Sequence, residues 1–128
     1  MNITSTELQA VFTEERPWGS FEQFLANAVG TVKVITVAPQ QRLSLQRHAL
    51  RDEMWFVLDG PIDVRIDHAE WQARAGEIVW IPRSALHRLG NAGTSAVRVL
   101  EIAFGHFDEL DIERLDDDYN RVGAPTTR

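Results

Sequence analysis

The sequence predicts an all-β domain, either a sandwich or a barrel. Three observations lead to this prediction. Short runs of apolar and β-branched residues recur at regular spacing, turn signals rich in Gly, Pro, Asn and Asp separate them, and no stretch between residues 30 and 104 has a helical period. With 128 residues, the chain is long enough for one domain with a substantial core and too short for two.

The beginning of the chain is weakly patterned. We expect an N-terminal arm over residues 1–15 that is mobile or swapped, a barrel domain over residues 16–121, and a flexible tail over residues 122–128. Arg16–Ser20 is a predicted turn, because its proline fixes φ and its glycine relaxes it. Trp18 is expected to attach this turn to the core.

The strand predictions follow from alternation and β-branching. Ile62–Asp67 alternates strictly between apolar and polar residues, so one of its faces should be buried and the other wet. Asp59-Gly60-Pro61, Ala75-Gly76-Glu77 and Gly90–Gly93 are the predicted turns. In chain order, the predicted strands are Val32–Val37, Trp55–Leu58, Ile62–Asp67, Glu70–Ala73, Ile78–Pro82 and Ala96–Phe104.

Composition excludes several functions. The sequence has no cysteine, so disulfides and thiolate ligands are excluded, and a metal would need nitrogen and oxygen donors. A net charge of -6 argues against a nucleic-acid surface, and no apolar run approaches the length of a membrane helix. The acidic segment Asp108–Asp118 is expected to be a solvated segment or a short helix closing the barrel. With no visible secretory signal, we expect a cytoplasmic protein.

Two stretches, Leu43–Trp55 and Ile81–His87, carry the chemistry. Together they supply an amide oxygen, two imidazoles and a carboxylate, a workable set for one divalent cation. Residues i and i+2 of a strand point to the same face, so the first amide and the first imidazole can point together into a barrel. The predicted metal ligands are Gln46, His48, Glu53 and His87.

The spacing of these residues resembles the two motifs of the cupin superfamily. Gln46-x-His48 is followed by Glu53 and Gly60, and Gly76 is followed by Pro82, His87 and Asn91. Gln40 and Ser84 replace glycines of the motifs, and Gln46 replaces the first of the usual paired histidines. The resemblance implies a single-domain jelly-roll barrel, also called a double-stranded β-helix.

A narrower resemblance extends from about Arg16 to Arg121. The motifs are Arg16-Pro17-Trp18-Gly19, Leu43-Ser44-Leu45-Gln46-x-His48, Arg51-x-Glu53-x-Trp55, Ile81-Pro82, His87-Arg88-Leu89 and the segment from Asp111 to Arg121. They are similar to the isomerase domain of type II mannose-6-phosphate isomerases (phosphomannose isomerases), which often follows a nucleotidyltransferase half. The resemblance implies interconversion of mannose 6-phosphate and fructose 6-phosphate through an enediol. Zinc is the expected metal, with manganese, cobalt, nickel or iron as alternatives.

The resemblance also implies roles for three cationic residues. Lys33 would donate to a sugar oxygen or act on a proton, provided that its strand faces the barrel interior. Arg51 and Arg88 are the candidates for binding phosphate, because a planar fork of donors fits it best. The alternative interpretations are a snorkelling Lys33 and arginines that form salt bridges with nearby carboxylates. The expected partners are a phosphosugar and a second copy of the chain in a homodimer, with neither nucleic acid nor membrane.

Two departures from the family keep other functions open. The family usually has histidines at the positions of Leu50 and Met54. If those histidines move protons, their loss would lower the rate by ~10²-fold or more. The alternatives are therefore a non-catalytic cupin that binds a phosphosugar or small anion, and another metal-dependent cupin enzyme such as a dioxygenase.

Overall fold

The computed structural model describes residues 9–123 and confirms the all-β prediction. Six of the eleven described strands coincide with the six predicted runs, with their ends shifted by a few residues, and the other five lie outside those runs. In chain order, the described strands are β1 (Phe12–Arg16), β2 (Gly19–Gln23), β3 (Gly30–Val37), β4 (Leu45–Arg47), β5 (Glu53–Val57), β6 (Ile62–Ile66), β7 (Ala69–Ala73), β8 (Ile78–Ile81), β9 (His87–Gly90), β10 (Val97–Phe104) and β11 (Glu113–Asp116).

Two antiparallel sheets form the body of the domain. One has the order β3-β10-β5-β8, and the other has the order β11-β4-β9-β6-β7. Along β3 to β10 the chain passes repeatedly from one sheet to the other, and only β6 and β7 form a hairpin within a sheet. This alternation is the strand order of a jelly roll. A separate hairpin of β1 and β2 precedes it.

The main core lies between the two sheets. Alternate residues of β5 point inward, so that Trp55 and Val57 pack in the same cluster as Val64 and Leu89 of the opposite sheet. All four side chains are buried. The same alternation places Glu53 on the inward face, at the end of β5 where the site described below is formed.

A second core cluster covers the outer face of the first sheet. Met54 is fully buried there against Trp80, Ile102 and Phe104, and residues of the N-terminal part of the chain cover it. Because Met54 directly follows Glu53, its side chain points to the opposite face of β5. Position 54 therefore belongs to the outer packing of the sheet and not to the space between the sheets.

Two sequence expectations are wrong. Trp18 is 73% exposed, because the turn between β1 and β2 projects it away from the core. The acidic segment Asp108–Asp118 was expected to be a solvated segment or a short helix. Instead, Glu113–Asp116 within it forms β11 and pairs with β4. An ion pair between Arg47 and Glu113 supports this pairing on the outer face.

The predicted arm contributes β1, which begins at Phe12. Residues 1–8 of that arm and residues 124–128 of the predicted tail lie outside the described residues, and the predicted domain boundaries stay predictions. Within residues 9–123, no helix has both the length and the apolar character needed to cross a membrane.

Replacing Met54 by alanine should lower the free energy of unfolding by about 2–5 kcal/mol, because the change removes a fully buried side chain and leaves a cavity. Chemical denaturation of the metal-free protein measures this. Val34→Ala is the control, since Val34 is 55% exposed and its loss should change stability by no more than about 0.5 kcal/mol. Equal effects of the two substitutions would contradict the second core cluster.

Candidate metal centre

Three predicted ligands meet at one end of the space between the sheets. His48 directly follows β4, Glu53 begins β5 and His87 begins β9. One ligand atom from each lies within 4.8 Å of those of the other two, and all three side chains are buried. The fold thus brings together residues that are up to 39 positions apart in the sequence.

The outer nitrogen of each imidazole is held by a backbone carbonyl. His48 Nδ1 lies 2.7 Å from the carbonyl oxygen of Asp111, and His87 Nδ1 lies 2.9 Å from that of Ala85. A carbonyl oxygen only accepts hydrogen bonds, so each Nδ1 carries the proton and donates it. Each Nε2 is then unprotonated, the form in which histidine binds a metal. The Nε2 of His87 has no hydrogen-bond partner among residues 9–123, whereas the Nε2 of His48 accepts a long hydrogen bond from an Arg51 terminal nitrogen at 3.4 Å.

The two Nε2 atoms face the same carboxylate oxygen. Glu53 Oε1 lies 3.3 Å from His48 Nε2 and 3.6 Å from His87 Nε2. Both Glu53 Oε1 and His87 Nε2 are buried without a hydrogen-bond partner among residues 9–123. Unpartnered buried polar atoms are costly and uncommon. A divalent cation would satisfy both of them at once, so the donor set fits a metal ion.

The charges of the cluster suit cation binding. Burial alone would raise the pKa of Glu53, but the nearby His48, Arg51 and His87 outweigh it and lower that pKa to about 2. Burial lowers the pKa of His87 to about 4, although its contact with Ala85 and the charge of Glu53 oppose the shift. At neutral pH the cluster therefore presents an ionised carboxylate and a neutral His87 imidazole, and metal binding displaces no proton from either.

Arg51 fixes the second oxygen of Glu53. Its Nε donates to Glu53 Oε2 at 2.9 Å, and a terminal nitrogen donates to the carbonyl oxygen of Asp108 at 3.1 Å. The guanidinium also lies 4.3 Å from the ring centroid of Phe107. Arg51 is buried beside the cluster, where its charge compensates that of Glu53.

Gln46, the fourth predicted ligand, sits directly opposite His87 in the pairing of β4 with β9. Directly opposed residues share a face of the sheet, so both point between the sheets. The amide oxygen of Gln46 accepts a hydrogen bond from the Ser44 hydroxyl at 2.7 Å. An amide oxygen has a second lone pair, so this bond leaves one position for a metal or a bound water.

Lys33 lies on the inward face of β3, near the same end of the sheets. In the first sheet it opposes Glu101, which in turn opposes Trp55. Its ammonium nitrogen is 4.1 Å from the ring centroid of Phe107 and 3.7 Å from a carboxylate oxygen of Glu109. Lys33 and Arg51 therefore contact the same aromatic ring.

The structure does not bring Arg88 to this cluster. Arg88 follows His87 in β9, so its side chain points to the outer face of the sheet. There it donates to the carbonyl oxygen of Leu43 at 2.8 Å and to Asp116 at 3.0 Å.

Sequence reasoning missed Glu101, a second buried carboxylate. Its Oε2 accepts a hydrogen bond from the Trp55 indole at 3.0 Å. Burial raises the pKa of Glu101, and the negative charge of Glu53 raises it further. A single acidic residue inside the apolar run Val97–Phe104 was the available signal, because a charged residue is seldom buried without a reason.

Sequence reasoning also missed the role of Asp111. Its carboxylate accepts hydrogen bonds from the backbone amides of Ala49 and Leu50, and its carbonyl oxygen holds His48. The acidic segment thus orients a candidate ligand. Leu50 itself is 70% exposed, outside the buried cluster.

Comparisons with known proteins show the family to which the chain is similar. The family model described as "Mannose-6-phosphate isomerase C-terminal" matches residues 4–117. The chain is 39% identical to "Alginate biosynthesis protein AlgA" of Pseudomonas aeruginosa over 86% of this chain and 23% of that protein. It is 37% identical to a mannose-1-phosphate guanylyltransferase of Escherichia coli over 84% of this chain and 23% of that protein. The chain spans less than a quarter of either relative.

Solved structures share the fold at lower identity. The capsular polysaccharide assembling protein CapF of Staphylococcus aureus matches with a TM-score of 0.63 at 22% identity, over 83% of this chain and 32% of that chain. A conserved protein with a double-stranded β-helix domain from Klebsiella pneumoniae matches with a TM-score of 0.60 at 17% identity, over 72% and 74% of the two chains. These matches confirm the predicted jelly roll.

Replacing either His48 or His87 by alanine should abolish stoichiometric binding of zinc, because each change removes one of three converging donors. Calorimetric titration of the metal-free protein with zinc measures this. His68→Ala is the matched control, since His68 is an exposed histidine in the turn between β6 and β7. Stoichiometric zinc binding in both His48→Ala and His87→Ala would contradict the assignment of these histidines as metal ligands.

Proposed function

Because the chain belongs to the family of mannose-6-phosphate isomerase C-terminal domains, we propose that it is a metal-dependent isomerase that interconverts mannose 6-phosphate and fructose 6-phosphate. The observation that carries the proposal is the buried cluster of His48, Glu53 and His87, with its two unpartnered polar atoms. A cluster with three protein donors leaves coordination positions for a substrate, as in catalytic metal sites.

His48, Glu53 and His87 would hold the metal, with Gln46 as a fourth or water-mediated ligand. A divalent cation bound there would act as a Lewis acid toward a sugar carbonyl oxygen. Arg51 was predicted from the sequence to bind phosphate, but here it would instead orient Glu53 and contribute positive potential for the enediolate. The proposal treats zinc as the metal, since two imidazoles and one carboxylate suit it.

An aldose–ketose isomerase also needs a group that takes a proton from one carbon and returns it to the next. Lys33 and Glu101 are directly opposed on β3 and β10, on the inward face that also carries Glu53. Because burial raises the pKa of Glu101, this carboxylate holds a proton more readily than an exposed glutamate does. It is therefore suited to accept a proton and return it. Lys33 would donate to the neighbouring sugar oxygen.

From the sequence alone, the departures at Leu50 and Met54 argue against catalysis. The positions of the two side chains in the structure remove this argument. Met54 is packed on the outer face of the first sheet, and Leu50 is exposed. Neither position contributes to the cluster of His48, Glu53 and His87, so a histidine at either one is not needed to complete its three donors. This placement removes the argument for a non-catalytic binding protein that the two departures gave.

A dioxygenase is a second candidate function, which the donor set itself favours. Two histidines and one carboxylate with open positions are also the ligands of non-haem iron oxygenases. Ferrous iron in the purified protein, together with oxygen consumption in the presence of a small organic acid, would support this function instead.

A homodimer is part of the proposal. β3 is an edge strand of its sheet, and its outward residues Val32 and Val34 are each 55% exposed. An exposed edge with apolar side chains is the kind of surface that pairs with a second copy. A cytoplasmic location likewise stays a proposal.

The test is an NMR assay of mannose 6-phosphate isomerisation with zinc, manganese and cobalt added in turn. We expect turnover that disappears on chelation and returns with metal. In the same assay, Glu101→Gln should lower the turnover rate by ~10²-fold or more without changing metal stoichiometry, because it removes a proton acceptor but not a ligand.

Glu77→Gln is the matched control. Glu77 also accepts a hydrogen bond from a tryptophan indole, that of Trp71, but it does so on the outer surface. Bound metal without turnover of mannose 6-phosphate would overturn the isomerase. Turnover that survives in Glu101→Gln at the level of Glu77→Gln would remove Glu101 from proton transfer and leave Lys33 as the candidate.

A further inference from the structure

We propose that Arg114 is the phosphate-binding residue of this site, and that the ligand it recognises is the phosphate monoester of a sugar. The inference rests on the proposed function, because it assigns the far end of a substrate whose reacting end lies at the metal cluster. Arg114 is the single arginine of the acidic segment Asp108–Asp118. Sequence reasoning placed it in a family motif but gave it no role.

Arg114 lies on the inward face of the second sheet. It opposes Gln46 in the pairing of β11 with β4, and Gln46 opposes His87 in the pairing of β4 with β9. Opposed residues point to the same side of a sheet. The preceding pair, Arg47 and Glu113, forms its ion pair on the exposed outer face, as alternation requires. Arg114, Gln46 and His87 therefore form one row across three strands.

The guanidinium of Arg114 has an unused donor in this row. Its Nε is buried and has no hydrogen-bond partner among the described residues. Burying a charged group's N–H without an acceptor costs free energy, so such a group calls for an explanation. An anionic ligand supplies one, because a guanidinium binds phosphate through a planar fork of N–H donors.

The two arginines predicted from the sequence to bind phosphate are engaged elsewhere. Arg51 donates to Glu53 and to the carbonyl oxygen of Asp108. Arg88 donates to Leu43 and Asp116 on the outer face. Binding phosphate would require Arg51 to release a buried carboxylate and would place phosphate at Arg88 on the wrong side of the sheet. Arg114 needs neither change.

The separation along the row suits a hexose phosphate. β11 and β9 are two strand spacings apart, so the backbones of Arg114 and His87 are about 10 Å from each other. The sugar carries its phosphate on C6 and exchanges its proton between C1 and C2. With C1 and C2 at the cluster and the phosphate toward the sheet edge, an extended sugar chain can span the distance that the two side chains leave between them.

The experiment compares binding of mannose 6-phosphate, inorganic phosphate and mannose by the zinc-loaded protein, using calorimetry. Arg114→Gln should weaken binding of mannose 6-phosphate and of phosphate by about 10- to 100-fold, because charge-assisted hydrogen bonds are lost. Binding of neutral mannose should not change. Arg114→Lys should recover only part of the loss, since it restores the charge without the fork.

Arg47→Gln is the matched control, because it removes the same charge from the neighbouring strand on the outer face. Thermal unfolding without ligand should be unchanged in Arg114→Gln, since Arg114 Nε has no described partner to lose. Equal weakening by Arg47→Gln and Arg114→Gln, or unchanged phosphate binding in Arg114→Gln, would overturn the proposal, as would a wild-type protein that binds no mannose 6-phosphate.

The outcome is separable from that of the proposed function, because the readout is binding and not turnover. A protein that binds mannose 6-phosphate through Arg114 but does not isomerise it would confirm the phosphate site and overturn the isomerase. If Arg114→Gln isomerises mannose 6-phosphate as well as the wild type at low substrate concentration, the isomerase would be confirmed and the phosphate site at Arg114 overturned.

Discussion

The convergence of one carboxylate oxygen and two imidazole nitrogens in a buried space is the constraint on which the rest of the site depends. Glu53 Oε1 lies within 3.6 Å of both Nε2 atoms, and no described residue donates a hydrogen bond to it. Such a group is costly in a protein that binds nothing there. The outer nitrogens are fixed by carbonyl oxygens and the second carboxylate oxygen by Arg51, so the unpartnered atoms are held toward a common point. This arrangement suits a cation, and His48, Glu53 and His87 are its candidate ligands.

The acidic C-terminal segment is part of this preorganisation. Asp111 holds the His48 ring through its carbonyl oxygen and the following loop through its carboxylate, and β11 then joins the second sheet beside β4. The same stretch that makes the chain acidic thus positions a ligand and adds an arginine to the inner face of the sheet. Negative charge in this segment has a structural use that composition alone does not indicate.

Much of the fold and of the candidate metal site could be predicted from the sequence, because both depend on local periodicity and on spacing. Six of the strands, β3, β5, β6, β7, β8 and β10, are of this kind, and so is the trio of His48, Glu53 and His87. Pairing partners depend on register, which a sequence does not fix. The row that Arg114 forms with Gln46 and His87 therefore could not be predicted, although Arg114 lies in a family motif. Alternation alone, by contrast, places Arg88 on the face opposite to that of His87. Alternation along β5 was sufficient to place Met54 opposite to Glu53, whereas the outward projection of Trp18 depends on how the first hairpin packs.

The most direct test of the central claim is X-ray diffraction from crystals grown with zinc, with data collected at the zinc absorption edge. We predict one strong anomalous peak between His48 Nε2, His87 Nε2 and Glu53 Oε1, within coordination distance of all three atoms. The absence of a peak at this cluster in a crystal grown with zinc would contradict the assignment of the metal centre. Zinc bound instead among the exposed carboxylates near Asp116 and Asp118 would also contradict it.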